Sequence, residues 1–327
     1  MKPTSQTFLV GVDIGGTKTA VGLVDSSGYL HFQKQAPTCQ DGPQHGFAQI
    51  IRLIEEVLFE TRIGIDQVQG IGIGIPAVLE PETDFVIWGP NLAGWRNVDL
   101  RGALIDHFKV PVCVEYDGHT AVLGEWWIGA GKAYQSMVSI IIGTGLGGGM
   151  VLDGKLYRGM NRLAGAAGWF GLTLNAGMQS QRESSIGFWE ARIAGPAISM
   201  RAQQFAAEHP NSMMASVSPP DRLTAQQVFE IAGKGDPAAQ QFCEQIADEI
   251  GIGIANVVSL VDPQVVILGG GVGSNCGVLL PRIRQVVQSW AQPIAGKSVQ
   301  LVLSTLGAKA GLVGAAYSVL LRNGAEG

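Results

Sequence analysis

The sequence predicts an α/β protein built as two related lobes, and three observations carry that expectation. Apolar, strand-like runs alternate with segments of helical period from one end of the chain to the other. A glycine hairpin near the N-terminus returns far downstream in the same strand–turn–strand context. The chain has 327 residues, 46 % of them hydrophobic and only 15 % charged, which is enough apolar material for two substantial cores.

The first hairpin is the run Leu9–Asp25. An apolar strand enters Gly15-Gly16-Thr17-Lys18, and a second strand leads to the turn Asp25-Ser26-Ser27-Gly28. Adjacent glycines let backbone N–H groups approach an anion, while Thr17 and Lys18 add a hydroxyl donor and a cation. Asp13, at the mouth of the turn, would repel a bare phosphate and makes sense with a divalent cation between the two. An ordinary glycine hairpin with an exposed lysine is the alternative. Shifting the chain by 128 residues brings Ile14, Gly15 and Asp25 onto Ile142, Gly143 and Asp153. The second copy, Gly143-Thr144-Gly145-Leu146-Gly147-Gly148-Gly149, runs into an Asp153-Gly154 hairpin turn. No Gly-x-x-x-x-Gly-Lys-Ser/Thr loop occurs, and a strand follows the second glycine run where a dinucleotide fold needs a helix.

Along the chain, helix is expected over 46–60, with strand 68–75 after it and a Pro-, Asn-, Trp- and Gly-rich loop over 77–95. Helix 101–108, strand 110–116 and helix 119–127 follow. An irregular stretch over 157–187 leads to helix 190–206, a loop over 209–220 and helices 223–232 and 238–260. Strand 264–268 ends at Gly269-Gly270-Gly271, which is expected to open a helix around 279–290. A last strand, 299–303, precedes a helix over 308–321.

The net charge of −5, with no Lys/Arg cluster, argues against a nucleic-acid surface. No apolar run reaches the roughly 18–20 residues of a membrane span. The start has no basic region, and Cys39, Cys113, Cys243 and Cys276 lack metal or disulfide spacing, which suits a reducing cytoplasm.

Asp13-Ile-Gly-Gly-Thr-Lys18, the glycine run 143–149 and Leu268-Gly-Gly-Gly-Val272 together resemble, in this order, the ROK family of sugar kinases and sugar-responsive repressors, over about residues 8–320. The resemblance implies a two-lobed actin/hexokinase/Hsp70-like ATPase fold with ribonuclease H-like duplicated domains. It assigns residues 1–118 and 308–327 to a small lobe, and residues 119–307 to a large lobe that also carries a dimer surface. ATP and Mg²⁺ would lie between them, phosphates against Gly15, Gly16, Thr17 and Lys18 and against Gly143, Thr144 and Gly145. Adenine would sit near Gly270 and Gly271, with Mg²⁺ held by Asp13 through water. A homodimer is a family-level expectation. With the first strand near Phe8 there is no room for the repressors' helix-turn-helix, so DNA binding is not expected.

Asp117 is the candidate general base, at the end of strand 110–116 and the start of a helix, where the carboxylate form is favoured. Family members usually read Asn-Asp-Ala-Asn here, and this chain reads Tyr116-Asp117-Gly118-His119. A helix cap is the alternative. Asn91, in Pro90-Asn-Leu-Ala-Gly-Trp95, matches the sugar-binding loop, with a simple turn residue as the alternative.

The acceptor end departs from the family. Ala164-Gly-Ala166-Ala-Gly-Trp169 stands where sugar kinases read Ala-Gly-Glu-x-Gly-His, so Ala166 and Trp169 replace the two polar sugar contacts. Residues 181–190 keep none of the three zinc-motif cysteines, so no zinc site is expected, and Trp169, Phe188 and Trp189 are expected to pack in its place. Glu190 matches a sugar-contacting carboxylate, or is a surface helix residue. Glu183, Arg192 or Asn161 could replace the lost contacts, and Trp169 could stack on a sugar face. The expected function is ATP-dependent phosphorylation of a sugar hydroxyl. The alternatives are a regulatory sugar- or nucleotide-binding protein of the same fold, or an actin-like interaction ATPase.

Overall fold

The computed structural model describes residues 7–172, 185–219 and 222–325. Two compact units emerge, one of residues 1–133, 149–165 and 308–327, the other of residues 134–148 and 166–307.

The first unit is organised by a five-stranded sheet of β1 (Phe8–Ile14), β2 (Lys18–Asp25), β3 (Leu30–Pro37), β4 (Val68–Ile75) and β8 (Val112–Tyr116), ordered β3-β2-β1-β4-β8. β1 pairs antiparallel with β2 and parallel with β4, which pairs parallel with β8. Side chains alternate across β1. Phe8, Val10, Val12 and Ile14 join a core with Ile71, Ile73, Ile75 and with Ile50, Leu53, Ile54 and Val57 of α1 (Pro43–Thr61). On the opposite face, Gly11 and Asp13 meet α11 (Ala310–Ala325): a Cβ on Gly11 would lie 2.1 Å from the Leu312 carbonyl oxygen. Backbone contact of this kind recurs at Gly72 against Ala315, and at Gly314 of α11 against Thr120 of α3 (Asp117–Trp127).

β3 was not expected from the sequence. Its residues, Leu-His-Phe-Gln-Lys-Gln-Ala-Pro, alternate half-buried and exposed as an edge strand does. Its turn is closed by Asp25, whose Oδ1 accepts from Ser27 N (2.9 Å) and Tyr29 N (3.1 Å), while Oδ2 meets His31 Nε2 at 2.8 Å. Within the stretch expected as loop over 77–95, β5 (Val78–Leu79) and β6 (Val86–Trp88) form a small antiparallel sheet with β7 (Arg96–Val98), which lies just beyond it. Runs of two or three residues are too short to show a period. α2 (Leu100–Phe108) follows, capped by the Asp99 side chain on Gly102 N.

The second sheet contains β9 (Met137–Ile142), β10 (Leu146–Leu152), β11 (Lys155–Leu156), β12 (Val265–Gly269) and β13 (Gln300–Leu303), ordered β11-β10-β9-β12-β13. β12 runs parallel to both β9 and β13. Place for place this repeats the first sheet, which makes the duplication read from the glycine hairpins architectural. Asp153 (φ 50°) and Gly154 (φ 71°) form the expected two-residue turn between β10 and β11.

Helices of the second unit are α4 (Glu190–Ile193), α5 (Gly195–Glu208), α6 (Ala225–Gly233), α7 (Pro237–Val261), α8 (Gly270–Gly273), α9 (Leu280–Trp290) and α10 (Ala295–Ser298). The single helix expected over 190–206 is broken, with extended Ala194 between α4 and α5 and Pro196 in the first turn of α5. The helix expected around 279–290 is α9, and the glycines themselves form the separate short turn α8. Among the described residues no helix is long and apolar enough to cross a membrane. Cys113, Cys243 and Cys276 are buried free thiols, as apolar filler should be.

Candidate active site

The first hairpin is held from behind. The turn closes through Gly15 N to Lys18 O at 2.8 Å, and each of its next carbonyls is engaged. Thr38 Oγ1 donates to Gly15 O (2.6 Å), Gln40 Nε2 to Gly16 O (3.1 Å) and Thr38 N to Thr17 O (3.1 Å). The amides of Gly16 and Thr17 donate to no described residue. Carbonyls tied back and amides left over make a concave donor set of the kind that takes an anion. Neither Gly15 nor Gly16 has a positive φ, so glycine serves here to leave room above the backbone. Thr17 and Lys18 are exposed beside it.

Asp13 lies at the carboxyl end of β1, facing the first turn of α11, where a Cβ on Gly311 would come within 2.9 Å of its carboxylate. Burial pushes its pKa up to about 6, against a partial pull down from Lys18. No described side chain forms an ion pair with it, and the described residues hold no cluster of three or more His, Cys, Asp or Glu. A single desolvated carboxylate of this sort suits a hydrated divalent ion such as Mg²⁺, which keeps most of its waters.

The second hairpin repeats the design with different props. Gly143 N closes on Gly145 O (2.9 Å), Gly195 N at the start of α5 donates to Gly143 O (2.8 Å), and Leu146 N donates to Glu190 Oε2 (2.7 Å). The Thr144 and Gly145 amides donate to no described residue. Gly270 is at φ 80°, with its would-be Cβ 2.5 Å from the Ile142 carbonyl oxygen, so only glycine fits there. A Cβ on Gly271 would meet nothing within 4 Å, and Gly271 N lies 4.0 Å from the position of a Cβ on Gly143. The second hairpin and the 270–271 glycines therefore share one open surface in their unit.

Asp117 is the first residue of α3, directly after β8, and is half-buried. Its Oδ1 accepts from Gly118 N at 2.8 Å, and Tyr116 takes the capping position but its side chain does not cap the helix. The register Asp13↔Gly74↔Glu115 places the ends of β1, β4 and β8 side by side. Two strand spacings separate the outer two, roughly 10 Å. Asp13 and Asp117 thus lie at the carboxyl ends of the parallel strands β1, β4 and β8, where α/β folds place ligands. Asn91 is exposed, 3.4 Å (Cβ) from the position of a Cβ on Gly16. Its loop is anchored by buried Trp95, whose ring meets Phe47 edge-on at 5.3 Å. Gln40 ties loop to hairpin, since its Oε1 accepts Ala93 N at 3.3 Å while its Nε2 holds Gly16.

At the acceptor end, one expectation is corrected. Trp169 is 60 % exposed and does not join an apolar core; Trp189 is fully buried and stacks on Phe170, centroids 5.6 Å apart and 3° from parallel. The short 3₁₀ turn Ala167–Trp169 turns the indole of Trp169 outward and directs the next aromatic inward. Phe188 is half-buried, beneath the Arg192 guanidinium at 5.6 Å. Gln181, Arg182, Glu183 and Ser184 lie outside the described residues. Of the other candidates for lost sugar contacts, Asn161 is exposed and Arg192 is engaged with Glu249. The purified protein is expected to carry no stoichiometric zinc in metal analysis, with a melting temperature unmoved by EDTA; one bound zinc per chain would contradict this.

Sequence reading missed the props Thr38 and Gln40, and also an ionic cluster behind Asp117. Buried Asp84 takes Arg162 and Arg322 (2.6 Å), and buried Glu115 takes Arg158 (2.6 Å) and Arg162 (3.2 Å). His119 Nε2 bonds Ala164 O at 3.0 Å. These bonds fasten the segment 157–165, which leads into Ala166, to β8 and to the first turn of α3, which carries Asp117. Burial works to raise the Glu115 pKa, but the His119 ring and the two arginines outweigh it and hold it near 2. Since 4.5 is its ordinary value, this group contributes stability above that pH and loses it as pH falls toward 2. Melting temperature should therefore drop more steeply from about pH 5 to pH 3 in the wild type than in E115Q. Parallel slopes would refute it.

Residues 9–321 match the family described as ROK. A glucokinase from Halalkalibacterium halodurans is 32 % identical over 320 residues, 96 % of each chain. A ROK family glucokinase from Streptomyces griseus, solved with glucose and AMPPNP, is 31 % identical, with a TM-score of 0.81 over 95 % of this chain and 98 % of that one. A ROK hexokinase from Thermus thermophilus is 30 % identical, with a TM-score of 0.76 over 98 % of this chain and all of the other.

Proposed function

The chain belongs to the ROK family and is a carbohydrate kinase; we propose that it transfers the γ-phosphoryl group of ATP to a hydroxyl of a hexose-type sugar, with Asp117 as general base. The observation that carries this reading is the pair of hairpins, each with its carbonyls tied back and two amides left to donate. The amides of Gly16, Thr17, Thr144 and Gly145 would meet phosphate oxygens, and Lys18 would add a positive charge. Mg²⁺ when bound would neutralise phosphate charge, and Asp13 is the side chain that would hold it. Gly270 and Gly271 leave a flat surface suited to adenine. The relative from Streptomyces griseus, solved with glucose and AMPPNP, supports both substrate classes.

On the acceptor side, Asn91 would bond sugar hydroxyls with its amide, and Asp117 would accept the proton of the attacking hydroxyl. Trp169 offers an open indole that would stack on an apolar sugar face, and Glu190 would border the same region. Ala166 and Trp169 cannot pair hydroxyls, so a sugar with a different substituent at that end should be preferred over glucose. A panel of hexoses and N-acetylhexosamines with ATP, read out as ADP release, tests the proposal. Sugar-dependent ADP formation is the expected result. A melting shift with sugar but no ADP from any member would favour the regulatory binding protein that the altered acceptor loop also allows.

A further inference from the structure

The turn that carries Glu190 lies where related sugar kinases are expected to have a metal, and in this chain it is held by an ionic and aromatic clamp. α4 is a single helical turn of four residues, too short to persist on its own propensity. Arg192, on that turn, forks onto Glu249 of α7 through Nε (3.1 Å) and Nη2 (2.6 Å). Arg201 of α5 forks onto the same carboxylate through Nη1 (3.0 Å) and Nη2 (2.9 Å), and its Nη1 also donates to the Arg192 carbonyl (2.8 Å). Trp189, just before the turn, donates from Nε1 to the Glu249 carbonyl at 3.1 Å. Its ring lies where a Cβ on Gly253 would intrude to 2.2 Å, so the indole rests directly on the α7 backbone.

We infer that Glu249 is a positioning residue for the second phosphate hairpin, acting through Arg192 and Arg201 on Glu190. Glu190 grips the hairpin at Leu146 N, and α5, joined to the same turn, grips it at Gly143 O. One carboxylate on α7 therefore fixes both ends of the Gly143–Leu146 turn at second hand. Paired bidentate forks suit this role because they set direction as well as distance. Glutamine in place of Glu249 could accept from only one side, and its NH₂ would face a guanidinium.

The test is hydrogen exchange at the Leu146 amide in the unliganded protein. E249Q should speed that exchange at least about tenfold, matching E190Q, which removes the charge that accepts the amide. Amides of β1 in the other unit should not change. R201K keeps the charge and loses the fork, so it should give a partial effect and carries the comparison should E249Q melt early. Unchanged Leu146 protection in folded E249Q or R201K would overturn the inference. A second readout rests on the kinase reading: KM for ATP should rise about tenfold in E249Q. Absence of ADP formation by the wild type would defeat that reading alone, because exchange still judges Glu249.

Discussion

Exchanging Asp117 for Asn is expected to lower kcat by about 10²–10⁴-fold, the usual scale for a positioned general base, without a comparable loss of stability. The two parts of this expectation separate two roles. As the first residue of α3, Asp117 accepts Gly118 N through Oδ1, and an asparagine oxygen can take over that bond. What the amide cannot do is accept the proton of a sugar hydroxyl. Melting temperature should therefore stay within a few degrees while turnover collapses, with KM for ATP little changed. Full turnover in D117N, with a lowered melting temperature, would leave Asp117 a residue of the helix start only.

A second large effect is expected far from any reacting atom. Gly72→Ala places a methyl 1.6 Å from the carbonyl oxygen of Ala315, and Gly314→Ala places one 1.7 Å from that of Thr120. Both obstacles are backbone, so no rotamer change relieves them, and α11 has to move off the sheet or off α3. Each exchange should cost about 3 kcal/mol or more, the upper end of overpacking penalties. For a unit of this size that is a fall in melting temperature of about 6–12 °C. Activity should fall as well, because the first turn of α11 lies against Asp13. Gly233→Ala is the control: nothing lies within 4 Å of its would-be Cβ, and alanine in a helix should be neutral or slightly stabilising. A G72A protein that melts like the wild type would mean that the sheet and α11 do not pack by backbone contact.

The elements with a sustained period were legible in advance. α1, α7 and strands β1, β4 and β12 each show enough apolar repeats to register, and Pro263 marks the end of α7 as a stop. The glycine hairpins were legible for another reason: their residue types are chemically unusual where they stand. What escaped was short or relational. β5, β6 and β7 are too brief to show alternation, and β3 wears the polar face of an edge strand. Thr38, Gln40 and Glu249 act through bonds to residues well removed in sequence, so nothing local marks them. Trp169 was expected in the apolar packing around Trp189, but the turn at 167–169 leaves it exposed while Phe170 takes the place against Trp189.

The first unit is assembled from three separate stretches of chain, and its last piece is α11. That has a consequence for the order in which the molecule is made. A nascent chain can form the first hairpin and α1 early, but the glycine faces of β1, β4 and α3 stay bare until α11 has been synthesised. The second unit, whose residues all precede α11, can finish first. Closing the first unit then requires joining segments almost a full chain length apart, the kind of non-local contact that slows folding and prolongs exposure to aggregation. The helix that presses on Asp13 is thus also the step on which maturation of the first unit waits.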